Sequence, residues 1–274
     1  MSQPLVSVIV PTKNSSRTLA DCLASINNQY YKHIELIVVD NFSDDDTAKV
    51  AKKYTKQFYA QGPERSTQRN FGVTMASGKY IAIIDSDMNL SKNVIKECVE
   101  EMKADDKLVG IIIPEESFGE GFWAQCKKLE RSFYIGVPYM EAARFFKKSD
   151  FLDVNGYDEK MISGEDWDLS QRISEKGPYS RSKSIIYHDE GHISLLKTLK
   201  KKSYYAKIFA RYAKESRNRE HASQQTSLVG RYALFFQHPV KLFRNPILGI
   251  GMLFMKTSEF AFGGISYLIA KNRD

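Results

Sequence analysis

Cysteine is scarce in this chain, with Cys22, Cys98 and Cys126 spread widely over 274 residues. An odd number of separated cysteines provides neither a disulfide framework nor the close pairs of a zinc site. All three lie in stretches with a helical pattern, so we expect reduced thiols packed inside the fold. The small disulfide-rich and zinc-stabilised classes of protein are therefore excluded.

The sequence also lacks low-complexity tracts, internal repeats and a basic N-terminal leader. Its opening, "MSQPLVSVIVPTKN", has one short apolar run that ends at a proline, which is typical of a first strand and not of a signal peptide. Hydrophobic residues make up 42% and charged residues 27% of the chain, the balance of a globular protein. We expect a cytoplasmic protein with one large domain and an appendage.

The excess of positive over negative charge is confined to the last third of the chain. Residues 191–274 contain 15 Lys and Arg against four Asp and Glu, a net charge of +11, whereas residues 1–190 carry −4. This asymmetry favours an anionic partner for the C-terminal region, either a membrane surface or nucleic acid.

Short apolar runs alternate with helical patterns through the first 115 residues. The runs are "LVSVIV", "IELIVVD", "QFYA", "YIAIID" and "LVGIIIP". Val- and Ile-rich strands joined by helices predict an α/β fold, with a Rossmann-like, mostly parallel sheet flanked by helices. Ligands of such sheets bind at the carboxyl ends of the strands.

Polar clusters follow three of these strands, namely "PTKN", "DNFSDDD" and "DSDMN", and they should converge on one crevice. Asp85 and Asp87, two residues apart, suit Mg²⁺ or Mn²⁺ together with a nucleoside diphosphate. Asp40 could accept the ring N–H of uracil or guanine. The alternatives are solvated acids at a strand end and a cap for the next helix.

A second acidic cluster, "GEDWDL", contains Glu165 and Asp166. A carboxylate close to a metal-bound donor can act as a general base toward a hydroxyl acceptor, although acids are also favoured in the first turn of any helix. His188 could complete a metal shell or lie at the surface. Arg65 and Arg69 could offset phosphate charge or be solvated.

The order of these pieces resembles the inverting family-2 glycosyltransferases of GT-A fold. The matching stretches are "VSVIVPTKN", "IELIVVDNFSDDD", "QRNFGVTMASGKYIAIIDSD" and "GYDEKMISGEDWDLSQRI". The resemblance implies a GT-A catalytic domain in residues 1–190, a UDP- or GDP-linked sugar donor, and Mg²⁺ or Mn²⁺ as cofactor. The second cluster is usually "DDGS" and here is "DNFS", which leaves the base preference open.

The resemblance also implies roles for individual residues. Asp166 would be the catalytic base, with Glu165 and Trp167 contacting the acceptor. The implied metal ligands are Asp87, Asp85 and His188. The implied nucleotide-sugar-binding residues are Pro11, Thr12, Asn14, Asp40, Asn41, Ser43, Gln68, Arg69, Asp85 and Ser86.

The C-terminal region, residues 191–274, reads as a basic, amphipathic helical extension. A long basic helix is predicted for residues 194–219, followed by an apolar stretch with Lys256 and Glu259 near its middle. Those charges favour interfacial or packed helices over a spanning helix. We therefore expect peripheral or monotopic attachment to the inner face of the cell membrane. The acceptor would then be a polyprenyl phosphate or a lipid-linked saccharide; a soluble helical subdomain or a dimer contact is the alternative.

Three rival functions differ in what they explain. A nucleotidyltransferase would need an early glycine-rich loop with Lys or Arg, which the sequence lacks. A noncatalytic, membrane-associated module that binds nucleotide sugars would use the same crevice without turnover. A nucleic-acid-binding protein would explain the basic C-terminal region but not the acidic crevice, so no nucleic-acid partner is expected.

Overall fold

A computed structural model describes residues 3–161, 163–203 and 227–271, with side chains described as far as residue 266. The chain divides into two compact units. Unit 1 takes Met1–Glu115, Ala142–Lys160 and Glu165–Asp189, and unit 2 takes Glu116–Glu141, Met161–Gly164 and Glu190–Asp274. The domain boundary expected between residues 190 and 191 stays a prediction.

Strands and helices alternate along the first half of the chain, and helices dominate its end. In chain order the elements are β1 (Val6–Thr12), α1 (Leu19–Asn27), β2 (Ile34–Asp40), α2 (Thr47–Ala51), β3 (Gln57–Ala60), α3 (Arg65–Met75), β4 (Tyr80–Ile83), β5 (Met88–Leu90), α4 (Val94–Ala104), β6 (Gly110–Ile112), β7 (Glu115–Glu120), α5 (Phe122–Ser132), β8 (Phe145–Lys147), α6 (Lys148–Asp153), α7 (Glu165–Ser174), β9 (Tyr179–Arg181), β10 (Ile186–His192), α8 (Leu228–Phe236), α9 (Pro239–Phe243) and α10 (Pro246–Lys271). Residues 195–203 are also helical. The rest of the basic helix predicted for residues 194–219 lies outside the described residues.

The main sheet of unit 1 has seven strands in the order β3-β2-β1-β4-β8-β6-β9. β1 pairs in parallel with β2 and β4, and Val6 lies opposite both Ile34 and Tyr80. β8 is antiparallel to its neighbours β4 and β6. The predicted mostly parallel α/β sheet is therefore confirmed. The short strand β5, which pairs with β10, was not predicted from the sequence.

Both faces of this sheet are covered by helices. Val8 of β1 packs into a core cluster with residues of α1 and α4, whereas the next residue, Ile9, packs into a second cluster with residues of α3 and α7. Alternate side chains of a strand point to opposite faces, so the apolar residues of β1 are buried on both sides of the sheet. This packing makes the sheet a rigid support for the loops at its strand ends.

Unit 2 contains α5, α8, α9 and α10, which share a separate apolar core of Cys126, Phe133, Phe235, Leu242, Met252 and Met255. A side chain at Gly251 would meet Phe122 and the sulfur of Cys126, so glycine allows α10 to approach α5 closely. All three cysteines are buried and free, as predicted. None of the described helices combines the length and apolarity needed to cross a membrane.

Candidate active site

The loops that follow β1 and β2 are joined through the carboxylate of Asp40. Thr12 donates a hydrogen bond to Oδ1 of Asp40 over 2.8 Å, and the backbone N–H of Ser43 donates to Oδ2 over 2.8 Å. The Ser43 hydroxyl also donates to Oδ1, over 2.5 Å. Asp40 is only 4% exposed, so its carboxylate shapes this loop from inside.

The neighbouring residues of the same loops are bonded to one another. The backbone N–H of Asn14 donates to the Ser43 hydroxyl over 2.8 Å, and Asn14 has a positive φ of 48°. The Asn41 side chain donates to the carbonyl of Pro63. Pro11 lies in β1 opposite Val39. The predicted nucleobase residues therefore lie together in one bonded pair of loops.

Gln68, on helix α3, fastens these loops to the sheet. Its amide nitrogen donates to the carbonyl of Thr12 over 2.9 Å and to the carbonyl of Val39 over 2.6 Å. Gln68 is 1% exposed. Its amide therefore fixes the separation between the ends of β1 and β2.

Arg69, one residue further along α3, joins the two acidic clusters. Its fully buried guanidinium lies 2.6 Å from Oδ1 of Asp85 and 2.9 Å from Oδ1 of Asp166. Burial alone would raise the pKa of Asp85, but Arg69 and then Arg144 outweigh burial and hold that pKa below its ordinary value. The Asp85 carboxylate is therefore ionised, and Arg69 connects the end of β4 to the start of α7.

Tyr157 completes the environment of Asp166. Its hydroxyl donates to Oδ1 of Asp166 over 3.1 Å, and the Arg69 guanidinium lies 5.0 Å from the centre of its ring. Burial, and then the negative charge of Asp166, raise the pKa of Tyr157 well above its ordinary value. The phenol therefore keeps its proton and acts as a donor to Asp166.

Glu165 is buried next to Asp166 and contacts two arginines. Its Oε1 atom lies 3.0 Å from Arg65 and 3.5 Å from Arg69. Burial, and then the charge of Asp166, raise the pKa of Glu165 despite these arginines. Trp167, the next residue of α7, is half-buried.

A chain of polar contacts leads from Asp85 to Asp87 through residues distant in sequence. Arg144 lies 3.5 Å from Oδ2 of Asp85 and donates from Nε to Glu115 over 2.5 Å. The other oxygen of Glu115 is 3.5 Å from Nδ1 of His188, whose Nε2 is 3.3 Å from Oδ2 of Asp87. Both acids of the "DSD" stretch are thus positioned, one by arginines and one by a histidine.

The two donors that face each other at the end of this chain, Asp87 and His188, are of types that bind divalent metals. Among the described residues, no group of three or more His, Cys, Asp or Glu side chains is arranged to hold a metal ion. Ser86, between the two acids, donates to the hydroxyl of Ser15 over 2.8 Å. A metal here would need further ligands from a bound phosphate.

The predicted residues thus fall into two bonded sets of unit 1. The loop set contains Pro11, Thr12, Asn14, Asp40, Asn41, Ser43 and Gln68. The acidic set contains Arg69, Asp85, Ser86, Asp87, Glu165, Asp166, Trp167 and His188. The sequence analysis missed Tyr157, Arg144 and Glu115. Tyr157 lies in the quoted stretch "GYDE", but no local pattern indicates that Arg144 and Glu115 contact this site.

Comparison with known proteins identifies the family of the chain. A family model described as "Glycosyl transferase family 2" matches residues 7–157, which is more than half of the chain. The chain is 28% identical over 204 residues to the GalNAc(5)-diNAcBac-PP-undecaprenol beta-1,3-glucosyltransferase of Campylobacter jejuni, a match that covers 67% of this chain and 64% of the relative. It is 26% identical over 205 residues to the chondroitin synthase of Escherichia coli, covering 68% of this chain and 29% of the relative. The chain therefore spans less than two thirds of either relative.

Solved structures share the fold at low sequence identity. The mannosyltransferase PcManGT of Pyrobaculum calidifontis, in complex with GDP-Man and Mn²⁺, has a TM-score of 0.62 and 14% identity, covering 97% of this chain and 88% of that one. S. aureus TarS 1-349, in complex with UDP-GlcNAc, has a TM-score of 0.54 and 15% identity, covering 98% and 92%. On the family match and this shared architecture, the chain belongs to glycosyl transferase family 2 and has the GT-A fold.

Proposed function

We propose that the chain is an inverting glycosyltransferase that moves a sugar from a nucleoside-diphosphate donor to a hydroxyl or phosphate acceptor. One observation carries this proposal: the buried guanidinium of Arg69 bonds both Asp85 and Asp166. It keeps a donor-side carboxylate and a candidate base in one crevice at the end of β4. A noncatalytic module would have no need of a base in that position.

The donor is proposed to lie along the ends of β1, β2 and β4. Its nucleobase would lie against the loop set, close to Pro11, Asp40 and Asn41, and its ribose would contact Asp85. Uridine and guanosine donors are the candidates, because fold neighbours were solved with UDP-GlcNAc and with GDP-Man. The choice between the two bases is open.

Asp166 is proposed as the general base. Arg69 and Tyr157 both donate to its Oδ1 atom, so we assign proton acceptance to Oδ2. The acceptor hydroxyl passes its proton to Asp166 while its oxygen forms the new bond to the anomeric carbon. The bond from that carbon to the diphosphate breaks, and the nucleoside diphosphate leaves with the electron pair. Attack from the opposite face inverts the anomeric centre.

Asp87 and His188 are proposed to hold Mg²⁺ or Mn²⁺. The donor set fits such an ion, since a carboxylate and an imidazole nitrogen lie 3.3 Å apart and Mg²⁺ typically takes one or two carboxylates plus substrate phosphates. When bound, the ion supplies positive charge for the departing diphosphate. Asp85, which is paired with two arginines, is assigned to the ribose.

The acceptor is proposed to approach α7. Trp167 follows the base directly and offers an aromatic surface for a sugar ring, while Glu165 orients the arginines behind it. A lipid-linked saccharide or polyprenyl phosphate is the proposed acceptor, reached at the inner face of the cell membrane through residues 191–274. The support is the net charge of +11 in that region and a relative whose name includes PP-undecaprenol.

The test incubates the purified chain and Mn²⁺ with radiolabelled UDP- and GDP-sugars and a polyprenyl lipid extract, and counts label in the organic phase. Three samples are compared: wild type, Asp166→Asn, and Asp153→Asn as the matched control, because the Asp153 side chain is 59% exposed and pairs with Lys176. A fourth sample contains wild type with excess EDTA. Donor binding is measured in parallel by calorimetry.

The expected result is lipid-soluble label from one donor with wild type and Asp153→Asn, a loss of at least about a hundredfold with Asp166→Asn, and donor binding retained by all three. Label in a water-soluble product would keep the transferase and remove the lipid acceptor. Donor binding without turnover in any sample would favour the noncatalytic module.

A further inference from the structure

Helix α10 is oriented with its charged residues inside unit 2. Lys256 and Glu259 are both buried, although they are the only ionisable residues between Pro246 and Phe262. In a helix that packs on a protein core from aqueous solution, apolar residues face inward and charged residues face outward. α10 departs from this rule, because it buries both charged residues beside Met252 and Met255 and exposes large apolar side chains such as Phe254.

The inward charges are compensated by helix α5. Lys256 lies 2.7 Å from Glu130, and Lys127 lies 2.8 Å from Glu130 and 3.4 Å from Glu259. Burial would raise the pKa of Glu130, but Lys127 and Lys256 outweigh it and hold the pKa well below the ordinary value. A complete set of partners is required at such a site, so this cluster fixes which face of α10 turns inward.

The outward face of α10, as far as residue 266, consequently carries large apolar side chains and no charged one. Its exposed large side chains recur at helical spacing and form one apolar stripe, composed of Ile247, Ile250, Phe254, Phe262 and Ile265. From first to last it spans roughly 27 Å along the helix axis, at 1.5 Å per residue. Ile247 is 72% and Ile250 is 63% exposed. Val240 and Phe243 of α9 are also exposed.

At the surface of the segment that carries this stripe, the charge has one sign. Glu259 is the sole acidic residue between Ser227 and Lys271, and it is buried. Lys241 and Arg244 are exposed on the chain that leads into α10. An exposed apolar stripe with cationic neighbours complements a bilayer of anionic lipids, since acyl chains accept the apolar side chains and headgroups attract the cations.

We propose that the apolar stripe of α10 lies in the headgroup and acyl-chain boundary of an anionic lipid bilayer, with α9 beside it. The helix would lie along the membrane plane, because its inward face carries the charge cluster. This inference identifies which surface of the chain contacts the membrane proposed above as its partner, and it rests on that proposal. It can be tested without donor or turnover, so the two can fail separately.

The test uses the full chain and two kinds of vesicle, one of equal parts phosphatidylglycerol and phosphatidylcholine and one of phosphatidylcholine alone. Binding is measured by cosedimentation over a range of lipid concentrations. The variant Ile247→Gln/Ile250→Gln removes two apolar side chains from the stripe, and it should keep the helix because glutamine is a good helix-forming residue. The control Met75→Gln/Leu152→Gln alters two exposed apolar residues of unit 1. Thermal unfolding checks that both variants fold.

Tryptophan fluorescence gives a second readout. The ring of Trp123 lies 6.2 Å from that of Phe254 in the stripe, so insertion should shift the emission to shorter wavelength. We expect wild type and the control to bind the anionic vesicles, less tightly at high salt, and the stripe variant to bind at least about tenfold more weakly.

Equal binding by wild type and the stripe variant, or no binding by wild type, would overturn the proposal. A wild-type dimer without lipid that becomes monomeric in the stripe variant would assign the stripe to a second copy of the chain instead. Vesicle binding without any sugar transfer would remove the proposed function alone. Transfer to a water-soluble acceptor without vesicle binding would remove only this inference.

Discussion

The hydroxyl of Tyr157 donates to Oδ1 of Asp166 over 3.1 Å, and this bond approaches the carboxylate from within unit 1. Arg69 donates to the same oxygen. Two donors on one oxygen fix the rotation of the carboxyl group, so the remaining oxygen has a defined direction. Precise placement of a catalytic group contributes strongly to rate.

Replacement of Tyr157 by Phe should therefore lower kcat about tenfold, because one charge-assisted hydrogen bond is lost. The ring under Arg69 is kept, so the affinity for the nucleotide-sugar donor should stay within about twofold of wild type. Steady-state kinetics with saturating acceptor would measure kcat, and calorimetry would measure donor binding. An unchanged kcat would remove Tyr157 from the positioning of Asp166.

Arg69 and Arg65 provide a matched pair of substitutions, because both contact Glu165 from the same helix. Arg69→Lys cannot keep the bonds to Asp85 and Asp166 together and leaves buried carboxylates poorly paired, so we expect the free energy of unfolding to fall by about 3–5 kcal/mol. Arg65→Lys, at a half-exposed site, should lower it by less than about 1 kcal/mol. Urea unfolding followed by circular dichroism compares them, and similar losses would contradict the proposed bridging role.

Removal of the metal should weaken donor binding through Asp87 and His188. In Mn²⁺, Asp87→Asn and His188→Gln should each bind the donor at least about tenfold more weakly than wild type, because each removes one of two protein ligands. With EDTA, wild type and the two variants should bind the donor with the same affinity. Asp106→Asn, at an exposed position, serves as the control. A wild-type affinity that is unaffected by EDTA would argue against a metal at this position.

The charge cluster of unit 2 predicts a large effect on stability. Glu130→Gln leaves Lys127 and Lys256 with Glu259 as their remaining carboxylate, so the free energy of unfolding should fall by about 3–5 kcal/mol. Lys96→Gln breaks an exposed pair with Glu100 at 3.8 Å and should cost less than about 0.5 kcal/mol. Thermal melts of both variants measure the difference, and a stable Glu130→Gln protein would show that the cluster is dispensable.

The same cluster predicts how the stability difference between wild type and Glu130→Gln depends on pH. Because the folded pKa of Glu130 is held below the ordinary value, its contribution to stability is complete above about pH 4.3, the ordinary value for glutamate. It is lost as the pH falls through the folded pKa. The gap in melting temperature between wild type and Glu130→Gln should therefore narrow on acidification below that point. A gap that widens there would contradict the sign of the shift.

The sheet could be predicted from sequence because the local pattern of apolar residues identifies its main strands. β1 and β2 are mostly apolar runs rich in Val and Ile, and each is followed by a helical pattern. β5 could not be predicted, because the three residues "MNL" form a strand only by pairing with β10, about one hundred positions later. The assignment of residues 116–141 to unit 2 likewise depends on packing against α10, which local patterns do not record.

The acidic residues of the site could be predicted because they end strands or open helices at recognisable positions. Their partners could not. Arg144 is one of three cations in "AARFFKK", and its contact with Asp85 depends on β8 lying beside β4. The sequence left phosphate and solvent as the alternative settings for Arg69, and its guanidinium lies among three carboxylates. The choice between those settings is a property of the fold and not of the segment.

The three native cysteines make this chain convenient for site-directed labelling. Cys22, Cys98 and Cys126 are all buried, and burial raises the pKa of each thiol, to about 11 for Cys126. Maleimides react with exposed thiolates, so the native residues need not be removed. A cysteine placed at Val240, which is 85% exposed, would react selectively with a fluorophore. Quenchers attached to lipids could then measure how deeply that fluorophore lies in the bilayer.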